Sequence, residues 1–211
     1  MARDPPTGRG AVIGRQGRTG RIGGEVPVKP CAPIAIKTDR LLLRRWQASD
    51  VEPMSRINAD PEVMRWIGSG AVVDAKRTQR AIGRWEAEWD DRGFGLFAVE
   101  QRSTRELLGF TGLSVPSFLP EVLPAVEIGW RLSRAAWGQG LATEAARAVL
   151  AFAFGERELE RVVSIAQVGN DASVRIMSKL GMRHERTTID PTCGRPVEVH
   201  EICAEDWLTR A

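Results

Sequence analysis

Between a strand-like run and a strongly helical one, this chain places Trp137-Gly138-Gln139-Gly140-Leu141-Ala142. The run before it ends in Glu127-Ile128-Gly129-Trp130-Arg131-Leu132, and a helical stretch follows from Thr143 to Phe154. Two glycines at such a junction let the backbone turn tightly and bring its N–H groups against a ligand, while the helix N-terminus adds partial positive charge. A strand, a glycine turn and a helix in that order can hold a pyrophosphate. An ordinary glycine turn is the other reading, because short glycine motifs recur by chance.

Around that junction the periodicities give the rest of the fold. Thr38 to Trp46 is strand-like, Asp50 stands at a helix N-cap position before Val51, Met54 and Ile57, and Asp60-Pro61-Glu62 restarts a second short helix. A longer helix begins after Asp74, with Thr78, Ile82, Trp85 and Trp89 on one face, and ends at Gly93. Strands are expected over 94–100, 107–115 and 122–132, then, after the glycine loop and its helix, over 161–167. Asn170-Asp171 opens another helix that Gly181 stops, and two strands over 183–189 and 197–204 close the chain. The order β-α-α-α-β-β-β-α-β-α-β-β predicts an α/β (α+β) fold with a single mixed, mostly antiparallel sheet flanked by helices.

Charge divides the chain in two. Residues 1–33 hold six basic and two acidic side chains, so the net +3 and the basic pI belong to this Gly-, Arg- and Pro-rich segment and not to the remainder. It lacks aromatic residues and too little of it is apolar to offset ordering entropy, so it is expected to be a disordered basic extension, or an over-long start. Without interleaved aromatics a nucleic-acid partner is not expected. Residues 34–211 are expected to form one domain. No apolar run reaches the ~18 to 20 residues of a membrane helix, so no membrane partner and a cytoplasmic location are expected. Three cysteines with no Cys-x-x-Cys pair and two histidines support neither a disulfide framework nor a metal site.

The blocks 125–132, 137–145, 170–175 and 179–182 together resemble the GNAT superfamily of acetyl-coenzyme A-dependent N-acetyltransferases, most of all its RimJ/RimL branch. Thr38-Asp39-Arg40-Leu41-Leu42-Leu43-Arg44 and Asp60-Pro61-Glu62-Val63-Met64 fit the same branch, and the likeness spans about residues 34 to 208. The resemblance implies acetyl-coenzyme A as co-substrate, no metal, and a phosphate loop running Trp137, Gly138, Gln139, Gly140, Leu141, Ala142, Thr143. Its backbone donors would be the N–H groups of Gln139, Gly140, Ala142 and Thr143. Trp137 stands where the superfamily usually has Gln or Arg, a change that leaves those amides intact. Leu132 would face the pantetheine arm, and Asn170 would bond the pantetheine or adenosine side or serve only as a helix cap.

Transfer from a thioester to an amine needs a neutral amine, a stabilised oxyanion and a proton for the thiolate. The resemblance implies Glu127 as general base, acting through water; a strand glutamate can equally be a solvent-face or ion-pair residue. For the acid, the tyrosine many GNAT enzymes use is absent, since the chain has none, and its position falls on Met177. The branch pattern offers Ser173 instead, whose other reading is a helix-start residue only. A backbone N–H of the Glu127 to Leu132 strand would stabilise the oxyanion. Trp66 and Trp85 are candidate walls of the acceptor site or core tryptophans, and His200 has no assigned role. The resulting expectation is acetyl transfer to a primary amine, foremost a protein N-terminal α-amine. The alternatives are a small-molecule amine (polyamine, amino acid or antibiotic) and a non-catalytic acyl-coenzyme A sensor. Monomer and homodimer both remain open.

Overall fold

Alternation along the central strand β3 (Leu96–Gln101) sets the architecture: Leu96 and Ala98 face one hydrophobic cluster, Phe97 and Val99 another, so both faces of the sheet are covered. The structure, a computed structural model, describes residues 35–209, and the expectations for residues 1–33 lie outside them. The eight strands run in the order β1-β2-β3-β4-β5-β6-β8-β7. They are β1 (Ile36–Lys37), β2 (Leu41–Arg44), β3, β4 (Leu107–Ser114), β5 (Val126–Leu132), β6 (Arg161–Gln167), β7 (Arg183–Ile189) and β8 (Pro196–Cys203). Every neighbouring pair is antiparallel except β5 and β6.

One face carries α1 (Val51–Asn58), α2 (Pro61–Met64) and α3 (Ala75–Arg92), packed through Met54, Ile57, Val63 and Ile82. Asp60 and Asp74 cap α2 and α3 by accepting the N–H groups of Glu62 and Arg77, and Gly93 ends α3 in the left-handed conformation at φ 71°. The other face carries α4 (Leu141–Gly155), whose Ala145, Ala146, Val149, Leu150 and Ala153 are fully buried against the sheet. Beside it lies α5 (Asp171–Leu180), and a short α6 (Ala204–Leu208), unforeseen in the sequence, closes the described chain.

Three details depart from expectation. The first strand is broken at Asp39-Arg40 into β1 and β2. The expected strand start at Val122 is a 3-10 turn over Pro120–Val122, followed by a cis Leu123–Pro124 bond, so β5 begins only at Val126. Asp50 makes no capping bond to α1; its carboxylate takes both terminal nitrogens of Arg44, at 2.7 and 2.9 Å, and the Gln47 N–H at 2.8 Å.

Candidate active site

β5 and β6 pair only at Val126↔Val162 and Glu127↔Val163, at the N-terminal ends of the two strands. Beyond Glu127 they diverge, so the β5 amides from Ile128 to Leu132 that point away from β4 have no strand partner. Such a split exposes backbone donors inside an otherwise closed sheet. Two cavities meet across it, of about 350 and 330 Å³, and both are lined by Trp66, Ile67, Trp130, Arg131, Asn170 and Ser173.

The second cavity contains the glycine loop. Gly138 and Gly140 adopt φ 73° and 75°, which a residue with a Cβ reaches only under strain. A Cβ on Gly138 would meet no protein atom within 4 Å, so conformation and ligand approach, not packing, demand the glycine. The α4 ladder begins with Glu144 N–H to Gly140 O, leaving the amides of Leu141, Ala142 and Thr143 ahead of it without helical acceptors. Gly138, Gly140, Leu141, Ala142 and Thr143 line this cavity, together with Leu132, Trp137 and the cations Arg175 and Lys179. Trp137 is half-exposed and donates its indole N–H to Leu132 O at 2.9 Å, fixing the strand end to the loop. Gln139 does not line the cavity: its amide side chain bonds Ala135 O and its carbonyl accepts from Arg40. Arg40 in turn grips Glu144 of α4, so the β1–β2 turn braces the loop. This cradle of unpaired amides, a helix N-terminus and two cations suits a pyrophosphate-bearing coenzyme.

The first cavity is where Glu127 lies, at the apex of the split. The carboxyl is half-buried, and desolvation pushes it up to about 8 against a single opposing hydrogen bond from the Ile165 backbone N–H. Period two along β5 puts Gly129 and Arg131 on the same face as Glu127. Burial pushes the Arg131 guanidinium down to about 10; its Nη1 donates to Asn58 Oδ1 at 2.7 Å, and it lies over the Phe110 ring at 5.1 Å. Ser173 lines both cavities, and its backbone N–H goes to the Asn170 side chain at 3.3 Å. Asn170 therefore caps α5 while also facing both cavities. Met177, buried, lines the first cavity and offers no proton.

Of the two candidate wall tryptophans, Trp66 lines both cavities and reaches toward Gly169 across the split, where a Cβ would sit 3.4 Å from the ring. Its loop is strapped down by Gln167 to Gly68 O (2.6 Å) and by Arg195 to Ser69 O (2.7 Å) and Arg65 O (3.2 Å). Trp85 lines neither cavity. It packs between Trp46 and Phe110, with ring centroids 5.1 and 5.0 Å away, because the apolar face of α3 turns onto the sheet and not toward the split. Among the described residues no cluster of three or more His, Cys, Asp or Glu could hold a metal, and no helix is long and apolar enough to cross a membrane.

A mixed sheet split between two parallel strands, with a glycine loop at a helix N-terminus beside the split and a buried carboxyl at its apex, has the form of an enzyme site that holds a phosphate-bearing co-substrate. The model of the acetyltransferase (GNAT) domain matches residues 40–183, and the chain belongs to that family. It is 32% identical over 173 residues to the uncharacterized protein YkkB of Bacillus subtilis, covering 81% of this chain and 96% of that one. The crystal structure of a GNAT-family acetyltransferase from Bacillus anthracis superposes with a TM-score of 0.68 at 26% identity, covering 82% and 99% of the two chains. RimL, a ribosomal L7/L12 alpha-N-protein acetyltransferase in complex with coenzyme A, shares the fold at a TM-score of 0.67 and 16% identity, covering 81% and 98%.

Proposed function

We propose that this acetyltransferase transfers the acetyl group of acetyl-coenzyme A to an α-amine at a protein N-terminus. The observation that carries the reading is Glu127: a carboxyl raised to about 8, at the apex of the split and on the acceptor side of two meeting cavities. A base is most effective when its pKa lies near the working pH and near that of the group it deprotonates. An α-amino group titrates near ~8, whereas a lysine or polyamine amine near ~10 sits two units above Glu127. The branch motifs and the shared fold of RimL, named for an α-amine reaction, support the same acceptor class.

The coenzyme supplies an activated acetyl thioester. The amides of the Gly138–Thr143 loop with Arg175 and Lys179 would hold its phosphates, and Leu132, Asn170 and Trp66, which line the same cavity, would flank its arm. Glu127, through a water, takes the proton of the attacking amine. Unpartnered β5 amides beyond Glu127 receive the oxyanion that develops during attack, a preorganised arrangement worth several kcal/mol in comparable sites. Ser173, which faces both cavities, donates the proton to the departing thiolate and regains one through water, while Glu127 gives up the proton it took from the amine.

Thiol release from acetyl-coenzyme A, measured against N-terminal peptides and a panel of small amines, tests the reading. Turnover on peptides, reduced in Glu127→Gln and Ser173→Ala, is expected. Turnover confined to small amines would contradict the acceptor, and coenzyme binding with no turnover on any amine would contradict transfer itself.

A further inference from the structure

Arg131 is the one cation that lines the acceptor cavity; the other titratable groups there, among the described residues, are Glu127 and Asp190. No carboxylate of the described residues lies within ion-pair distance of Arg131. Among the described residues the guanidinium's one hydrogen bond is to the neutral Asn58 amide, itself anchored to Thr78 at 2.9 Å, and its Nε is sealed from solvent with no partner there. Asp190 does not serve as its counter-ion, because both Asp190 oxygens are engaged within the β7–β8 turn by Thr192 and Cys193. Burial alone would raise the Asp190 carboxyl, but those hydrogen bonds outweigh it and hold it below the usual aspartate value.

An arginine stays charged at neutral pH, so this site keeps a desolvated cation without a protein anion. A fold does not retain such a group for stability, because an uncompensated buried charge is costly and an apolar side chain of similar volume would be cheaper. The guanidinium fork is matched in shape to a carboxylate. We propose that Arg131 binds a carboxylate of the acceptor, so that the amine acetylated in this cavity belongs to an acidic molecule: a free amino acid, or a peptide beginning with an acidic residue. The inference rests on the reading of the split as an acetyl-transfer site. It removes polyamines from the acceptor class, since a second cation beside Arg131 would be repelled. Glu127 and Arg131 stand four residues apart on one strand face, about 13 Å along the backbone, and both side chains reach into the same cavity. A single acceptor can thus present its amine to one and its carboxylate to the other.

Arg131 also borders the coenzyme cavity, so a coenzyme phosphate is a second source of the same anionic chemistry. The phosphate cradle, however, is built from residues that line only that second cavity: Gly138, Gly140 to Thr143, Arg175 and Lys179.

The experiment uses acceptors that differ in the carboxylate: L-alanine against L-alaninamide, with kcat/KM expressed per neutral amine because the free α-carboxylate raises the pKa of its own amine, and C-amidated tripeptides beginning with Glu against the same with Gln. The full-length enzyme is expected to favour the carboxylate member of at least one pair by about 10- to 100-fold in kcat/KM. The pair that shows the preference identifies the source as a free amino acid or an acidic N-terminus. In Arg131→Gln the preference falls to within about threefold, while the Kd for coenzyme A by calorimetry stays within about threefold of wild type. Asn58→Asp gives the guanidinium an internal carboxylate and is expected to erase the preference as well, without removing the arginine. Equal rates on both members of each pair, with acetylation otherwise intact, would overturn the inference and leave acetyl transfer standing. So would a preference that survives Arg131→Gln, or a loss of coenzyme affinity in its place. If no acceptor turns over, transfer fails as a reading, and binding decides instead: L-glutamate or the Glu peptide should raise the melting temperature of the coenzyme-bound wild type but not of Arg131→Gln, and no such difference would overturn the inference.

Discussion

Arg44 on β2 and Arg131 on β5 are both half-buried, and their surroundings are opposite. Arg44 makes a two-pronged pair with Asp50 and a third bond, Nε to Glu100 Oε2 at 2.8 Å. The bonds to Asp50, working against burial and joined by those to Glu100, raise its pKa above the ordinary arginine value. Arg131 has one neutral partner and burial lowers its pKa. The region around Arg44 is complete in itself: neighbouring Arg45 reaches Glu86 and Asp90, and Trp46 N–H closes onto Glu86. The region around Arg131 and Glu127 holds a cation and an acid that have neutral hydrogen-bond partners but no ion-pair partner among the described residues. Complete networks hold a fold together, whereas groups left unmatched beside a cavity are matched by what enters it.

The sharpest way to break that contrast is to remove both arginines in turn. Arg44→Met would strand the Asp50 carboxylate, whose side chain is only 4% exposed, and leave Glu100, 6% exposed, with Arg105 alone at 2.9 Å; it is expected to cost about 3 to 5 kcal/mol in denaturant unfolding. A loss under about 1 kcal/mol would show that the network is not the anchor it resembles.

Next in size comes the pH dependence that Glu127 imposes. Its carboxyl titrates near 8 in the fold and near ~4.3 in the unfolded chain, so between those values the folded state holds the extra proton. Stability is therefore expected to be greatest below about pH 4.3 for this group and to decline as pH rises to about 8, by a few kcal/mol in all. Glu127→Gln should flatten that decline and be more stable than wild type at pH 8. Parallel stability profiles for the two proteins would mean that Glu127 is ionised in the fold.

Smallest, and opposite in sign to Arg44, is Arg131→Met. Removing an unpaired buried charge is expected to leave stability within about 1 kcal/mol of wild type or to raise it slightly. A loss as large as that of Arg44→Met would place Arg131 with the structural arginines and end the comparison.

Much of the fold and part of the candidate site are legible in the chain itself, and the limits are physical. The strand 161–167 and the helix 171–180 lie where apolar spacing, Asn170 and Gly181 put them, because those signals are local. The glycine loop and Glu127 stand out for the same reason: a turn between strand and helix has few solutions. Arg131 was missed. Its period-two relation to Glu127 was available as a signal, but whether an arginine meets a carboxylate or an amide is decided by residues as distant as Asn58, which no local pattern reveals. Trp85 went astray on the same account, since a helical stripe of tryptophans does not say which of two buried faces it covers. Asp50 looked like a cap, and its partner is Arg44, six residues back on a strand whose direction relative to the helix only the tertiary fold sets. The strap of Gln167 and Arg195 over the Trp66 loop joins residues about a hundred or more apart and had no sequence signature.

The most direct test of the account is the pH profile of kcat/KM for thiol release by wild type and Glu127→Gln, compared as a ratio so that titration of the acceptor amine cancels. With Glu127 as base, the ratio should climb about tenfold per pH unit below 8 and level off above it, at a plateau of about 10²- to 10⁴-fold, with coenzyme affinity unchanged. A ratio near one at every pH would contradict the assignment of Glu127 as the base of this acetyltransferase.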